Sequence, residues 1–236
     1  MDQFGMCGLL IDGTPLDTYE GAALLDYSVG ETALKNETFQ GVNRSSWHLL
    51  KAIFGLRQIK ITIVFTGATR RQVALQRSKL NGALFGASEL YISADGFFYD
   101  VTLESCGAEV LIGEGERETK IKSEYTFKGT RRDALATETI PGGGYIFCGS
   151  TLPYTDARLT VTAGAASAAY QLGGATFENV AAGDVLVFDG IEGKITKNGE
   201  NAAASVNWTD FPALTPGNNT IAAADPVTVE YYPTYI

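Results

Sequence analysis

His48 is the only histidine in the chain, so a Ser-His-Asp or Cys-His constellation would have to be built on that one imidazole. It stands between Trp47 and Leu49-Leu50, an apolar setting that favours a structural imidazole over a general base. A metal site with two or more histidine ligands is excluded. Cys7, Cys106 and Cys148 are an odd set without C-x-x-C spacing, which points away from a disulfide framework and a zinc site and towards small buried or half-buried thiols. Paired carboxylates could still serve as the acid and the base or nucleophile of a glycosidase, and Asp184, Asp189 and Glu192 are the candidates. All three stand where turns are predicted, so solvated or turn-forming roles are expected of them. Asp189-Gly190-Ile191-Glu192-Gly193 lacks the ligand spacing of a calcium loop. There is no G-x-S-x-G, no phosphate-binding loop and no dinucleotide fingerprint. The expectation is a non-enzyme with no catalytic, cofactor-binding or metal residues.

The elements that would carry these residues are mostly strands. The chain has 236 residues, 45% hydrophobic and 19% charged, enough to bury a core. Its 27 glycines exceed the roughly 7% of an average protein, and with 11 tyrosines and 12 phenylalanines they suit turn-rich sheet. Ile59, Ile61 and Ile63 alternate with Lys60 and Thr62, which predicts a strand closing at Gly67. Thr69 suits the cap of a helix over 70–84, with Val73, Leu80 and Leu84 inward, Arg70, Arg71, Arg77 and Lys79 elsewhere, and Gly86 at its end. Further strands read at 89–93, 97–103, 108–112 and 119–127. The first 40 residues alternate weakly and read as an arm that takes a partner.

Charge divides the chain. Through Leu135 there are 15 Lys and Arg against 17 Asp and Glu, whereas residues 136–236 hold only Arg158, Lys194 and Lys197 against 10 acids. Gly129-Thr130-Arg131-Arg132-Asp133 and Pro141-Gly142-Gly143-Gly144 form a stretch that no element is expected to carry through its interior, so two domains are expected, 1–135 and 136–236. In the second part, Leu159-Thr160-Val161-Thr162, Val185-Leu186-Val187-Phe188 and Lys194-Ile195-Thr196-Lys197 read as short strands. Asn198-Gly199 and Pro216-Gly217 read as turns, Val227, Val229 and Tyr231 alternate in a last strand, and no helix is evident after residue 140.

The net charge of −9 disfavours a sequence-independent grip on nucleic acid or anionic membranes. No run approaches the length of a membrane span and the first residues lack a basic signal region, so a chain made and folded in the cytosol is expected. The sequons at Asn36, Asn43, Asn207 and Asn218 then carry no meaning. The four cations of the predicted helix read as a solvated face, or, in an oligomer, as a partner for the acids of a neighbouring subunit.

Three runs carry a family resemblance: Gly183-Asp184-Val185-Leu186-Val187-Phe188-Asp189-Gly190, then Gly193 to Asn201, then Trp208-Thr209-Asp210-Phe211-Pro212 through Pro216-Gly217-Asn218-Asn219 to the Tyr-rich end at Val227-Thr228-Val229-Glu230-Tyr231-Tyr232-Pro233. Together they resemble the closing segment of the distal tail proteins (Dit) of long-tailed phages, the siphophages. Gly13, the strand at 57–65 with its helix at 70–84, Phe97-Phe98-Tyr99 and Tyr125-Thr126-Phe127-Lys128-Gly129 resemble the same family less specifically. Residues 141–182 match loosely. The resemblance implies a mostly β fold of two domains: an N-terminal, ring-forming, β-sandwich-like domain with one α-helix, and a C-terminal galectin-like β-sandwich. It implies a structural baseplate-hub protein of the virion tail tip, in a phage or prophage. As a homo-hexameric ring it would join the major tail-tube protein to the tail-associated lysin, tail-tip or baseplate proteins and the receptor-binding protein. A carbohydrate-binding module contacting host glycans, with Trp208 or a tyrosine stacking on a sugar, is the alternative. The second part has no histidine, one arginine (Arg158) and one tryptophan (Trp208), so a galactoside pocket of the galectin type is not predicted, and Trp208 reads as a core or interdomain anchor.

Overall fold

A computed structural model describes residues 8–40, 42, 47–112 and 119–236, with the backbone alone at Trp47 and His48. Cys7, Asn43 and the side chain of His48 therefore lie outside what it describes. The chain divides into two compact units, Met1–Arg132 with Ile236, and Asp133–Tyr235.

The first unit holds β1 (Leu9–Ile11), β2 (Thr14–Pro15), β3 (Ala22–Val29), β4 (Leu34–Gln40), β5 (Trp47–Phe54), β6 (Arg57–Thr66), α1 (Arg70–Gly86), β7 (Glu89–Ile92), β8 (Phe97–Cys106), β9 (Val110–Ile112) and β10 (Lys120–Arg132). Its main sheet runs β2-β1-β7-β8-β10-β6-β3, all antiparallel, with β9 added on β10. The alternation expected of β6 is observed: Ile59, Ile61, Ile63 and Phe65 are fully buried. They share one core with Tyr125 and Phe127 of β10, Leu90 and Ile92 of β7 and the inner face of α1.

Thr69 caps α1, its hydroxyl accepting from Gln72 N at 3.2 Å, while Gln72 Oε1 reaches back to accept from Ala68 N at 3.0 Å. Two otherwise orphaned backbone donors are satisfied in this reciprocal way. The helix buries Val73, Gln76, Leu80 and Leu84.

One expectation fails here. Gly129 does not end an element; β10 continues through it to Arg132, and β11 (Ala136–Ile140) lies within the stretch expected to be free of regular structure. The reason is steric. At Gly129 a Cβ would sit 2.1 Å from the carbonyl oxygen of Asp100 on β8, so close pairing of these two strands requires a residue without a side chain. Arg132 then ties three strands, pairing with Asp100 at 2.9 Å and with Glu89.

The second unit continues with β12 (Tyr145–Cys148), β13 (Thr155–Thr162), β14 (Ser167–Leu172), β15 (Ala175–Val180), β16 (Val185–Asp189), β17 (Lys194–Lys197), β18 (Glu200–Asn201), β19 (Val206–Asn207), β20 (Ala213–Leu214), β21 (Gly217–Thr220) and β22 (Val227–Tyr231). The larger sheet runs β11-β22-β13-β16-β17-β18 with β20 on β13, and two smaller sheets, β12-β21 and β14-β15-β19, complete the unit. Leu159, Phe188 and Val229 of the larger sheet share one core with Ile146, Tyr170 and Phe177 of the smaller ones, the layered arrangement of a sandwich. Asn198 and Gly199 adopt φ of 52° and 82°, the pair of left-handed residues that a two-residue hairpin needs between β17 and β18. The chain is thus mostly β, with one α-helix among the described residues, as expected.

Candidate functional site

The carboxylates singled out in the sequence are held in two separate groups. Asp184 accepts from Asn198 Nδ2 and Ala181 N, both at 2.8 Å, and pairs with Lys197 at 3.0 Å. These hydrogen bonds, the one from Asn198 foremost, hold its carboxyl down at about 2. It clamps the turn before β16 to the turn after β17. Asp189, buried at the end of β16, accepts from Arg158 Nε at 2.7 Å and from the backbone of Ile191 and Glu192. Arg158 also meets Glu192 at 3.0 Å and Glu230 at 3.5 Å, so one guanidinium gathers three carboxylates, from the end of β16, the turn after it and β22. Hydrogen bonding to Asp189 raises the Arg158 pKa further, and Lys194 lowers that of Glu192. Each candidate carboxylate is committed to a partner within the fold, and Asp184 and Glu192 are held below their ordinary values, the reverse of the raised pKa a general acid needs.

Cys148 is buried in the second core, and Cys106 is half-buried, its sulfur 3.6 Å from Arg77 Nη2. No group of three or more His, Cys, Asp or Glu among the described residues is arranged to hold a metal ion. Among those residues, no helix is long and apolar enough to cross a membrane. The basic face of α1 is smaller than its sequence suggests. Arg70, Arg71 and Lys79 are exposed, but Arg77 turns to the sheet, where it binds Glu109 at 2.7 Å, Ser123 at 2.8 Å and the carbonyl of Gly107 at 3.1 Å. Burial and the nearby thiol of Cys106 raise the hydroxyl of the neighbouring Tyr125 to about 12. Trp208 is half-buried against the second core, 4.7 Å from the Phe211 ring.

The surface with most to offer a partner is one that sequence reading placed only vaguely. β3 and β6 pair within the main sheet from Ala22↔Phe65 to Val29↔Ile59, and the same two chain segments go on pairing as β4 and β5, from Leu34↔Phe54 to Gln40↔Trp47. Gly30 N to Gln58 O at 2.8 Å and Gly55 N to Ala33 O at 2.6 Å join the halves, and Arg57 Nη2 donates to Thr32 Oγ1 at 3.0 Å. The result is one two-stranded ribbon whose outer half, some eight residues or roughly 25 Å of strand, belongs to no larger sheet.

Every residue of β4 is exposed, and Leu34, Phe39, Leu49 and Leu50 are large apolar side chains left in solvent. Leu50 is the extra residue of a bulge opposite Glu37 and Thr38, just as Leu25, also exposed, is in β3. An isolated two-stranded ribbon is marginal in water, and clustered exposed apolar residues mark an interaction surface. β3 adds a second opportunity, since among the described residues it pairs on one side only. The element outside the sheet is therefore the pair β4 and β5 and not the first 40 residues, of which β1, β2 and β3 are part of the main sheet.

Residues 149–235 match the family described as siphovirus-type tail component, C-terminal domain. The fold is similar to the crystal structure of SPP1 Dit, described as a paradigm of the hub adsorption apparatus in phages infecting Gram-positive bacteria. The TM-score is 0.74 at 14% identity over 97% of this chain and 99% of that one. It is also similar to a chain of the phage P2 baseplate in its activated conformation with calcium, at a TM-score of 0.50 and 9% identity, covering 95% of this chain and 96% of the other. The strontium form of that baseplate gives 0.51 at the same identity and coverage. No curated protein matches. The resemblance to the distal tail proteins drawn from the sequence is borne out in the matched C-terminal segment and in the fold of nearly the whole chain.

Proposed function

We propose that the chain is a structural hub subunit of a phage tail, a distal tail protein that closes into a homo-hexameric ring through its first unit. In this reading the ring joins the major tail-tube protein above to tail-associated lysin, tail-tip or baseplate proteins below, in the virion. The second unit is a galectin-like sandwich in this reading, and the receptor-binding protein is among the partners. The observation that carries the reading is the ribbon. A subunit that leaves Leu34, Phe39, Leu49 and Leu50 in water on an element outside its own sheet has an apolar surface made for another chain. Full-length likeness to a hub protein says which kind of assembly fits it. The candidate carboxylates are consumed by internal ion pairs, which supports a structural role over a catalytic one.

The test is a mass measurement. A closed six-fold ring of 25.2 kDa chains weighs about 150 kDa. Light scattering of the purified chain, alone and mixed with tail-tube protein, is expected to give that mass in at least one condition, with a six-fold ring and central channel in electron micrographs. A strict monomer in both conditions overturns the proposal.

A further inference from the structure

We infer that the second unit carries a subsite for a neutral sugar residue, in the cavity between the β17–β18 hairpin and the Trp208–Phe211 pair. The cavity has a volume of about 450 Å³ and is lined by Lys194, Ile195, Thr196, Asn201, Trp208 and Phe211, with Ala203 and the turn glycines Gly193 and Gly199. That volume falls within the roughly 300–1,000 Å³ of small-molecule sites.

One wall is aromatic. The Trp208 and Phe211 rings lie 4.7 Å apart, tilted by 43°, and Phe211 in turn rests 5.9 Å from the buried ring of Phe188. Both lining rings are half-buried, so they are held by the core without being consumed by it. Such rings offer a flat, polarisable surface that suits the C–H face of a pyranose. The facing side is polar. Thr196 and Asn201 stand directly opposite each other in the β17–β18 register, which puts a hydroxyl and an amide side by side. Asn201 Oδ1 accepts from Ala203 N at 3.0 Å, which fixes the amide and leaves its nitrogen as the end that can donate to a ligand. Gly193, at φ 66°, makes the turn that leads into β17 beside the Phe211 ring.

Electrostatics selects a neutral ligand. Lys194 is the one cation of the lining, and its ammonium already meets Glu192 Oε2 at 2.6 Å. The part of the chain after Leu135 holds three cations against 10 acids, a field that repels polyanions. An aromatic wall facing hydroxyl and amide donors, in an acidic domain, therefore fits an uncharged glycan and disfavours a teichoic-acid-like polymer or a nucleotide.

The experiment is isothermal calorimetry of the full chain against maltose, cellobiose, lactose and N,N′-diacetylchitobiose, with the corresponding uronic acid disaccharides and an aromatic-rich peptide as competing classes. At least one neutral disaccharide is expected to bind with a Kd near 1 mM, the range of a single shallow subsite. Asn201→Ala, whose side chain is exposed and outside the core, is expected to weaken it about tenfold with the fold retained by circular dichroism and only the Ala203 N hydrogen bond lost. Trp208→Phe keeps a ring in the wall and is expected to retain weakened binding, whereas Trp208→Leu abolishes it. The inference is overturned if no neutral disaccharide binds at roughly 10 mM, where a 1 mM site would be about nine-tenths filled. It is equally overturned if the uronates or the peptide bind as tightly as the neutral sugars, or if Asn201→Ala and Trp208→Leu both bind like the native chain.

Discussion

Replacing Phe39 and Leu50 together by serine removes two of the apolar side chains that the ribbon offers to a neighbour. In the isolated subunit Phe39 is 57% exposed and Leu50 67%, and neither belongs to either buried core. Fully burying a Leu or Phe side chain is worth about 1.5–3 kcal/mol, so burying the half or more that remains is worth about 1–2 kcal/mol each. The double variant should weaken each subunit contact by about 2–4 kcal/mol, or roughly 30–700-fold at 1.4 kcal/mol per factor of ten. A closed ring repeats its contact at every subunit, so the loss is compounded on closure. Sedimentation velocity over a range of concentrations reads the effect directly: the native chain is expected as a ring, the variant mostly as a 25.2 kDa monomer. Thermal unfolding of the variant is expected to match that of the native monomer. If the variant assembles as the native chain does while remaining folded, the ribbon is not the contact and the reasoning fails.

Other outcomes follow from single residues. Asp184 has its carboxyl held at about 2 in the fold against an ordinary value of 3.8, so it stabilises the native state above pH 4 and that contribution is lost as pH falls towards 2. Asp184→Asn should flatten the dependence of stability on pH across this window, and an unchanged slope in urea titrations would contradict the clamp. Gly129→Ala should cost about 3 kcal/mol or more, because its Cβ meets the Asp100 carbonyl at 2.1 Å and only a backbone shift relieves it; the midpoint of urea unfolding measures this. Arg158→Met leaves the buried Asp189 without its cation and should lose about 2–3 kcal/mol at neutral pH, less than a fully buried pair because Arg158 is 27% exposed. Gly199→Ala, at φ 82°, should cost about 1 kcal/mol without altering the fold, checked by the same unfolding measurement and an unchanged circular dichroism spectrum.

What the sequence made legible was what one-sided burial writes into it. β6 reads as a strand because Ile59, Ile61 and Ile63 face a core while Lys60 does not, and β22 reads as one for the same reason at Val227, Val229 and Tyr231. α1 announced itself through Thr69 and the spacing of Val73, Leu80 and Leu84. β4 was illegible because neither of its faces meets a core within the subunit, so no contrast exists to be read. In β14 the neighbouring Ala168 and Ala169 blur the alternation, and only Tyr170 and Leu172 mark the inner side. The hairpin of β1 and β2 had a usable signal: Asp12-Gly13, at φ of 47° and 74°, is the same kind of dipeptide as Asn198-Gly199. The grouping of Asp189, Glu192 and Glu230 around Arg158 had none, since it depends on β13 lying between β16 and β22, a pairing across long sequence separations. Likewise nothing in the local sequence says that Thr196 and Asn201 face the Trp208 ring.

The passage from β5 into β6, interrupted only at Gly55 and Leu56, also gives the first unit a mechanical character. A pull applied to the tip along the ribbon is carried by β6, which is paired with β10 at ten consecutive positions from Arg57↔Gly129 to Thr66↔Lys120, and with β3 on its other side. Such a pull loads the ladder along its length, so its hydrogen bonds share the force instead of parting one after another. The outer half is held only to itself and yields first. In the first unit a compliant pair, β4 and β5, is therefore fixed to a stiff anchor in β6, the build of a tether that would take up strain in an assembly before the core of that unit feels it.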